Sequence, residues 1–162
     1  MMPDGLEIFS SPIGEIEITT LGGKLFSSGF SRLYASETLQ TNTLTGEVIT
    51  QLKAYFEGKL KKFDLPLQYN GTELQLKAMK FIESIPFGET ISYSEMAKAL
   101  SVLSGSRAIG NLVGKNPMLI VVPCHRVIGS NGKITGYAGG TDRKRWLLQH
   151  ELNNSNRADR LF

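Results

Sequence analysis

Cysteine occurs once in these 162 residues, at Cys124, which excludes any disulfide within the chain. A fold without that staple must rest on packing, and 41% apolar content is enough for a sizeable core. A lone thiol suits a reducing, cytosol-like compartment. Histidine occurs twice, at His125 and His150. One cysteine and two histidines fall short of a structural zinc set unless carboxylates or a second chain contribute. Apolar residues never run long enough for a transmembrane helix. The opening MMPDGLEIFSSPIG has neither the basic start nor the continuous apolar stretch of a secretory signal. Repeats and low-complexity segments are missing too.

Charge is present but unevenly placed. Residues 1–75 carry six basic and nine acidic side chains, a balance of −3, whereas 76–162 carry twelve and six, a balance of +6. The second half therefore suits an anionic partner such as nucleic acid. The same excess would also fit an ordinary solvated face.

Short alternating runs fill the first 30 residues, LEIFS, GEIEITT and GKLFSSGF, with SPIG and GG between them. They predict a small antiparallel sheet with tight turns. Residues 46–57 space Val48, Leu52, Tyr55 and Phe56 as the core stripe of a helix. GKLKKFDLPLQYNG then reads as a connector or a late strand, and the boundary between the two halves falls there.

The second half reads as helical. TELQLKAMKFIESI puts Leu74, Met79 and Ile82 on one face, and PFG ends it. Ser92 and Glu95 have capping-box spacing ahead of Met96, Ala97 and Leu100. After LSGS, a helix through SRAIGNLVGKN turns Ile109, Leu112 and Val113 inward. Two short helices about a glycine-containing turn suggest a helix-turn-helix. PMLIVVP reads as a buried run, and TDRKRWLLQHELN as a last helix with Trp146, Leu147 and His150 near its inner side. The tail NSNRADRLF reads as a surface extension.

Cys124 follows the buried run and a proline. Its thiol could be inert packing, a metal ligand or a nucleophile. A nucleophile needs a base or a positive field. His125 is adjacent in the chain, and its imidazole would need a carboxylate to fix its tautomer. Glu151, Glu89 and Glu95 are all candidates for that carboxylate, while His150 reads as packing.

PCHRV (123–127) and GYAGG (136–140), with IPFGETISYSEMA, SRAIGNLVGKNP, VVPCHRVIG and RKRWLLQHE in this order and spacing, resemble the O6-alkylguanine-DNA alkyltransferases, or methylated-DNA–protein-cysteine methyltransferases. The resemblance covers residues 73–152 and extends over the N-terminal half as the family's variable α/β domain. It implies a small α/β domain over 1–72 with a short antiparallel sheet. A mainly helical, winged-helix-like domain over 73–162 would carry the helix-turn-helix and the alkyl acceptor.

Roles follow from the same resemblance. Cys124 matches the alkyl-accepting nucleophile, His125 the histidine that takes its proton through a water, and Glu151 the carboxylate that orients this histidine. Asn116 matches the brace of the cysteine turn, and Tyr93 the phenol that supports protonation of guanine at N3. Arg107, preceded by Ser106, resembles the finger that fills the stack left by a flipped nucleotide. Val127 matches a carbonyl that reads the guanine amino group. Tyr137, Ala138 and Gly139 belong to the loop over the base, with Ala138 where several relatives have serine.

The implied activity is irreversible transfer of an alkyl group from O6 of guanine, and secondarily from O4 of thymine, to Cys124, once per molecule. It requires no cofactor and no metal, and its partner is double-stranded DNA. The chain is expected to be a monomer that can bind side by side on DNA, in the cytoplasm with the chromosome, or in the nucleus of a eukaryote. Two other readings stay open: a damage-recognition module that does not transfer, and a cysteine hydrolase built on Cys124 and His125.

Overall fold

A computed structural model describes residues 2–31 and 39–155 of the chain. Most of the predicted C-terminal extension, residues 156–162, lies outside the described residues. The chain divides into two compact units, Met1–Tyr69 and Asn70–Phe162.

In the first unit, three strands form an antiparallel sheet in chain order: β1 (Gly5–Ser11), β2 (Gly14–Leu21) and β3 (Lys24–Phe30). Gly22 and Gly23, both at positive φ, close the β2–β3 hairpin, which is the geometry a two-residue turn demands. Helix α1 (Thr43–Phe56) packs on this sheet. It begins three residues before the predicted stretch because Asn42 caps it, accepting from the Thr45 N–H while the Thr45 hydroxyl accepts from the Asn42 N–H. Val48, Leu52 and Tyr55 are fully buried with Ile16, Ile18 and Leu25. Burying each such side chain is worth about 1.5–3 kcal/mol. Phe56 is only half-buried; its ring meets Tyr55 edge-on and lies tilted against Phe9. The connector after α1 forms a single parallel bridge, Leu67 to Leu25, where Leu25 N–H donates to the Pro66 carbonyl at 2.7 Å. Pro66 has no N–H of its own to extend a ladder.

The second unit opens with α2 (Glu73–Glu83), capped by Thr72. Ala78, Met79 and Ile82 form its buried face. Leu74, expected among them, is 38% exposed because it stands in the solvent-facing first turn. Next come β4 (Ile91–Ser92), α3 (Tyr93–Ala99) and α4 (Ser106–Val113). Ser92 Oγ caps α3 by accepting from the Glu95 N–H at 3.0 Å. Helices α3 and α4 pack on each other and bury Met96, Ala97, Ile109 and Val113, giving the predicted helix-turn-helix. Leu112, expected beside Ile109 and Val113, is half-buried.

A buried run, Met118–Val122, leads into a 3-10 turn at Cys124–Arg126 and then β5 (Val127–Ile128). Strands β4 and β5 pair in parallel, Ile91 with Val127 and Ser92 with Ile128. This two-residue pairing sets the start of α3, and with it Tyr93, beside the cysteine turn.

The last helix, α5 (Thr141–Asn154), buries Lys144, Leu147 and Glu151. Here the sequence reading needs correction, since Trp146 and His150 were expected inside. They are half-buried and stack on each other with ring centroids 5.0 Å apart. Charged groups take the inner face because the partners that satisfy them lie there. Among the described residues no helix is long and apolar enough to cross a membrane.

Candidate active site around Cys124

The turn carrying Cys124 is held from behind by one amide. Asn116 Nδ2 donates to the Val122 carbonyl at 2.8 Å, and its Oδ1 accepts from the Met118 N–H at 2.9 Å. Between these anchors Ile120 sits at φ 74°, a costly conformation for a β-branched residue. A strained residue persists only where its surroundings over-determine it, and Asn116 supplies that constraint. Cys124 N–H donates to the Val122 carbonyl at 2.8 Å, which tightens the turn further. The thiol is buried, and burial pushes it up to about 11, against smaller lowering effects from the Asn116 side chain and Lys144. Cys124 therefore rests as a thiol and needs a base at the moment of reaction.

The candidate base, His125, is its neighbour in the chain. Of the three carboxylates left open by the sequence, Glu151 is the one that meets His125, with Nε2 to Oε2 at 2.6 Å and both groups fully buried. Burial lowers the imidazole, and Glu151 opposes this. Burial alone would raise the Glu151 carboxyl, but His125 and Arg126 hold it well below the ordinary carboxylate range. Arg126 Nε donates to Oε1 at 2.8 Å and Nη2 to Oε2 at 3.0 Å. His125 Nδ1 is buried with no partner among the described residues. The pair thus reads as a carboxylate and a neutral imidazole that has one open acceptor.

In front of Cys124 lies a cavity of about 580 Å³, walled by Tyr93, Ser106, Arg107, Val113, Tyr137 and Ala138. Tyr93 comes from the first turn of α3, and its hydroxyl donates to the Thr135 carbonyl at 3.1 Å. Its phenol is raised, chiefly by burial. Arg107 and Ser106 come from the first turn of α4, which places the proposed finger at the cavity wall. The Tyr137 hydroxyl is buried with no partner among the described residues. Gly139 is not part of the lining; its carbonyl accepts from Arg143 Nη1 at 3.3 Å. Asn116, His125 and Glu151 stand behind the cavity.

One residue at this site escaped the sequence reading. Lys144 is fully buried, and its Nζ meets the carbonyls of Val127 at 2.7 Å, Thr135 at 2.9 Å and Gly136 at 3.1 Å, and the Tyr93 hydroxyl at 3.3 Å. It ties β5, the 129–140 loop and the start of α3 together. Burial lowers it to about 8. The Val127 carbonyl, expected to face a guanine amino group, is engaged by this ammonium. The signal was available: Lys144, Leu147 and Glu151 follow i, i+3, i+7 spacing, so a buried Glu151 implies a buried Lys144.

Residues 73–153 match the family model 6-O-methylguanine DNA methyltransferase, DNA binding domain, and residues 6–69 match 6-O-methylguanine DNA methyltransferase, ribonuclease-like domain. The chain belongs to this methyltransferase family. A methylated-DNA–protein-cysteine methyltransferase of Methanosarcina acetivorans is 42% identical over 149 residues, covering 89% of this chain and 96% of the relative. One from Methanosarcina mazei is 53% identical over 108 residues, covering 67% and 68%. Among solved structures, the O6-methylguanine methyltransferase of Mycobacterium tuberculosis matches with a TM-score of 0.84 and 37% identity over 98% of both chains. The same organism's OGT in complex with DNA matches with a TM-score of 0.84 and 38% identity, covering 93% of this chain and 94% of that one. The family fold, an N-terminal sheet-and-helix part before a mainly helical part with a helix-turn-helix, is the fold of this chain.

Proposed function

We propose that this protein repairs DNA by moving an alkyl group from O6 of guanine, and secondarily from O4 of thymine, irreversibly to Cys124. The observation that carries this reading is a buried cysteine at a cavity wall, backed by a neutral histidine on a carboxylate and faced by a phenol and an arginine. O6 lies inside the duplex stack, so the nucleotide must rotate out, which costs a few kcal/mol. Arg107 at the cavity wall fills the gap and offsets part of that cost.

His125 takes the Cys124 proton, through a water, and Glu151 offsets the charge of the imidazolium. The thiolate attacks the alkyl carbon in line as the bond from that carbon to O6 breaks, and the electron pair leaves with guanine. Tyr93 gives its proton to guanine N3, which lowers the charge of the leaving purine. For this the Tyr93 hydroxyl must leave the Thr135 carbonyl, while Lys144 remains beside it and steadies the resulting phenolate. The loop with Tyr137, Ala138 and Gly139 holds the base. Ala138 keeps the backbone N–H that a serine would also offer. The thioether product has no route back to thiol, so each molecule reacts once. The lesion is the donor and the protein the acceptor, so no cofactor enters.

Residues 73–162 act as the DNA-binding and acceptor domain and 1–72 as its α/β companion. The partner is duplex DNA carrying alkylated guanine. A monomer that can bind side by side along DNA, in the cytoplasm with the chromosome, fits a stoichiometric reagent whose thiol must stay reduced. A cysteine hydrolase would leave Tyr93 and Arg107 without work.

Incubation with a duplex containing O6-methylguanine, followed by intact mass and peptide mapping, tests the reading. One methyl group on Cys124 and a restored guanine are expected, and Cys124→Ala should bind DNA without transfer. Absence of a methyl adduct on wild-type protein refutes it.

A further inference from the structure

Glu151 is fully committed. Oε1 accepts from Arg126 Nε at 2.8 Å and from the Gly88 N–H at 3.1 Å, and Oε2 accepts from Arg126 Nη2 at 3.0 Å and meets His125 Nε2 at 2.6 Å. A carboxylate has about four acceptor sites, and all are used. Nε2 is therefore the protonated nitrogen of His125, and the lone pair sits on Nδ1, which is buried and unpartnered among the described residues. Arg126 cannot drift from this arrangement. Its Nη1 donates to the Ile85 carbonyl at 2.6 Å, and its guanidinium lies over the Phe87 ring, 5.8 Å from the centroid.

We propose that Arg126 is a positioning residue that sets the charge of the reactive pair: by compensating Glu151 it keeps His125 neutral, so that Nδ1 stays open to receive the Cys124 proton. A buried carboxylate lacking other compensation draws a proton onto a neighbouring imidazole. The imidazolium would then carry hydrogen on both nitrogens and could accept nothing from the thiol. Arginine meets the requirement because its planar fork spans both carboxylate oxygens and stays charged throughout the working pH range. When Nδ1 accepts through the intervening water, the S–H bond breaks, the water passes one of its own protons to Nδ1 as it takes the thiol's, and an imidazolium and a thiolate result as an ion pair. Among the described residues, the charged groups that act on His125 are Glu151 and Lys144 from α5 and Arg126 on its own turn, which also carries Cys124, while Tyr137 from the 129–140 loop acts on Cys124 and Glu151. From the segment before β4, the Ile85 carbonyl, the Gly88 amide and the Phe87 ring meet Arg126 or Glu151, and none of the three titrates.

This deepens the alkyl-transfer reading and relies on it only for the kinetic half of the test. In 15N-histidine spectra of the full chain, with His150→Gln to assign the two rings, wild-type His125 should be neutral and protonated at Nε2 around pH 7. In Arg126→Gln it should be doubly protonated there. The acid limb of the transfer rate on an O6-methylguanine duplex should move up by about one pH unit or more, a tenfold loss per unit. The lost rate should return as pH rises past the new midpoint. Arg126→Lys keeps the charge and should keep His125 neutral, with transfer slowed evenly at all pH. A neutral His125 in Arg126→Gln, or a loss of rate that no rise in pH restores, overturns the proposal. If Arg126→Gln does not fold, wild-type protein decides, because an imidazolium at His125 near pH 7 overturns it as well. Spectra as expected with no transfer by wild type would leave the charge assignment standing and remove the alkyl-transfer reading instead.

Discussion

Lys144 is a cation buried against carbonyls and a phenol, with no carboxylate at its nitrogen among the described residues. Its folded value of about 8 lies below its ordinary value of 10.5. Between those two values the unfolded chain binds more protons than the folded one, so this residue makes stability rise with pH in that window. Cys124, Tyr93 and Tyr137, all raised in the fold, pull the other way in this range. The Lys144 contribution is therefore read as the difference between wild type and Lys144→Met in urea denaturation from pH 8 to 10.5, with wild type gaining on the variant as pH rises. An unchanged slope in that variant would mean the ammonium is not desolvated. Glu151 acts with the same sign in the acid range, because its folded value is also depressed. Its depressed carboxyl contributes stability present above the ordinary carboxylate range and lost as pH falls through the folded value. At this scale the sequence was informative about types and poor about partners. Cys124 and His125 were legible as neighbours, whereas the choice of Glu151 over Glu89 and Glu95 depended on which helix face turns inward.

At the scale of elements, α4 presents two glycines with opposite expectations. Gly105 caps the helix at φ 72°, ψ −151°, a region open essentially to glycine alone. Gly105→Ala should destabilise the protein by about 1–3 kcal/mol, from backbone strain. Gly110 lies inside the same helix, and a Cβ there meets nothing within 4 Å. Gly110→Ala should therefore stabilise by about 0.5–1 kcal/mol. Equal effects of both substitutions in chemical denaturation would contradict this account. Hairpins and helices were readable here, since period, caps and turn glycines are local. The inner face of α5 was not, because the aromatic pair Trp146 and His150 outranks lysine and glutamate on any apolar scale. Burial of Lys144 and Glu151 depends on acceptors and donors supplied from Val127, Thr135, Arg126 and Gly88, all distant in the chain.

Across the whole molecule the charge is segregated, −3 over residues 1–75 and +6 over 76–162. Binding to duplex DNA should therefore weaken steeply with salt, log K falling against log salt with a slope of about −0.9 for each phosphate neutralised. Arg107→Ala should impair repair of O6-methylguanine in a duplex far more than reaction with the free base. Equal loss on both would remove the finger role from Arg107. A salt-independent affinity would mean that the positive balance of the second half is only a solvated face.

The sequence by itself determined the local structure: a meander closed by Gly22 and Gly23, helices begun at Thr72 and Ser92, a first helix whose core stripe was readable though its Asn42 cap was not, a buried run ending at Cys124, and the spacing of the family motifs. These depend on neighbours a few residues apart. The tertiary structure decided which of the polar residues act together. The parallel pairing of β4 with β5 brings Tyr93 to the cysteine turn, and the rotation of α5 brings Glu151 to His125 and Lys144 to Val127. Desolvation and charge compensation fix those choices, and both are properties of the packed interior that no stretch of chain carries alone.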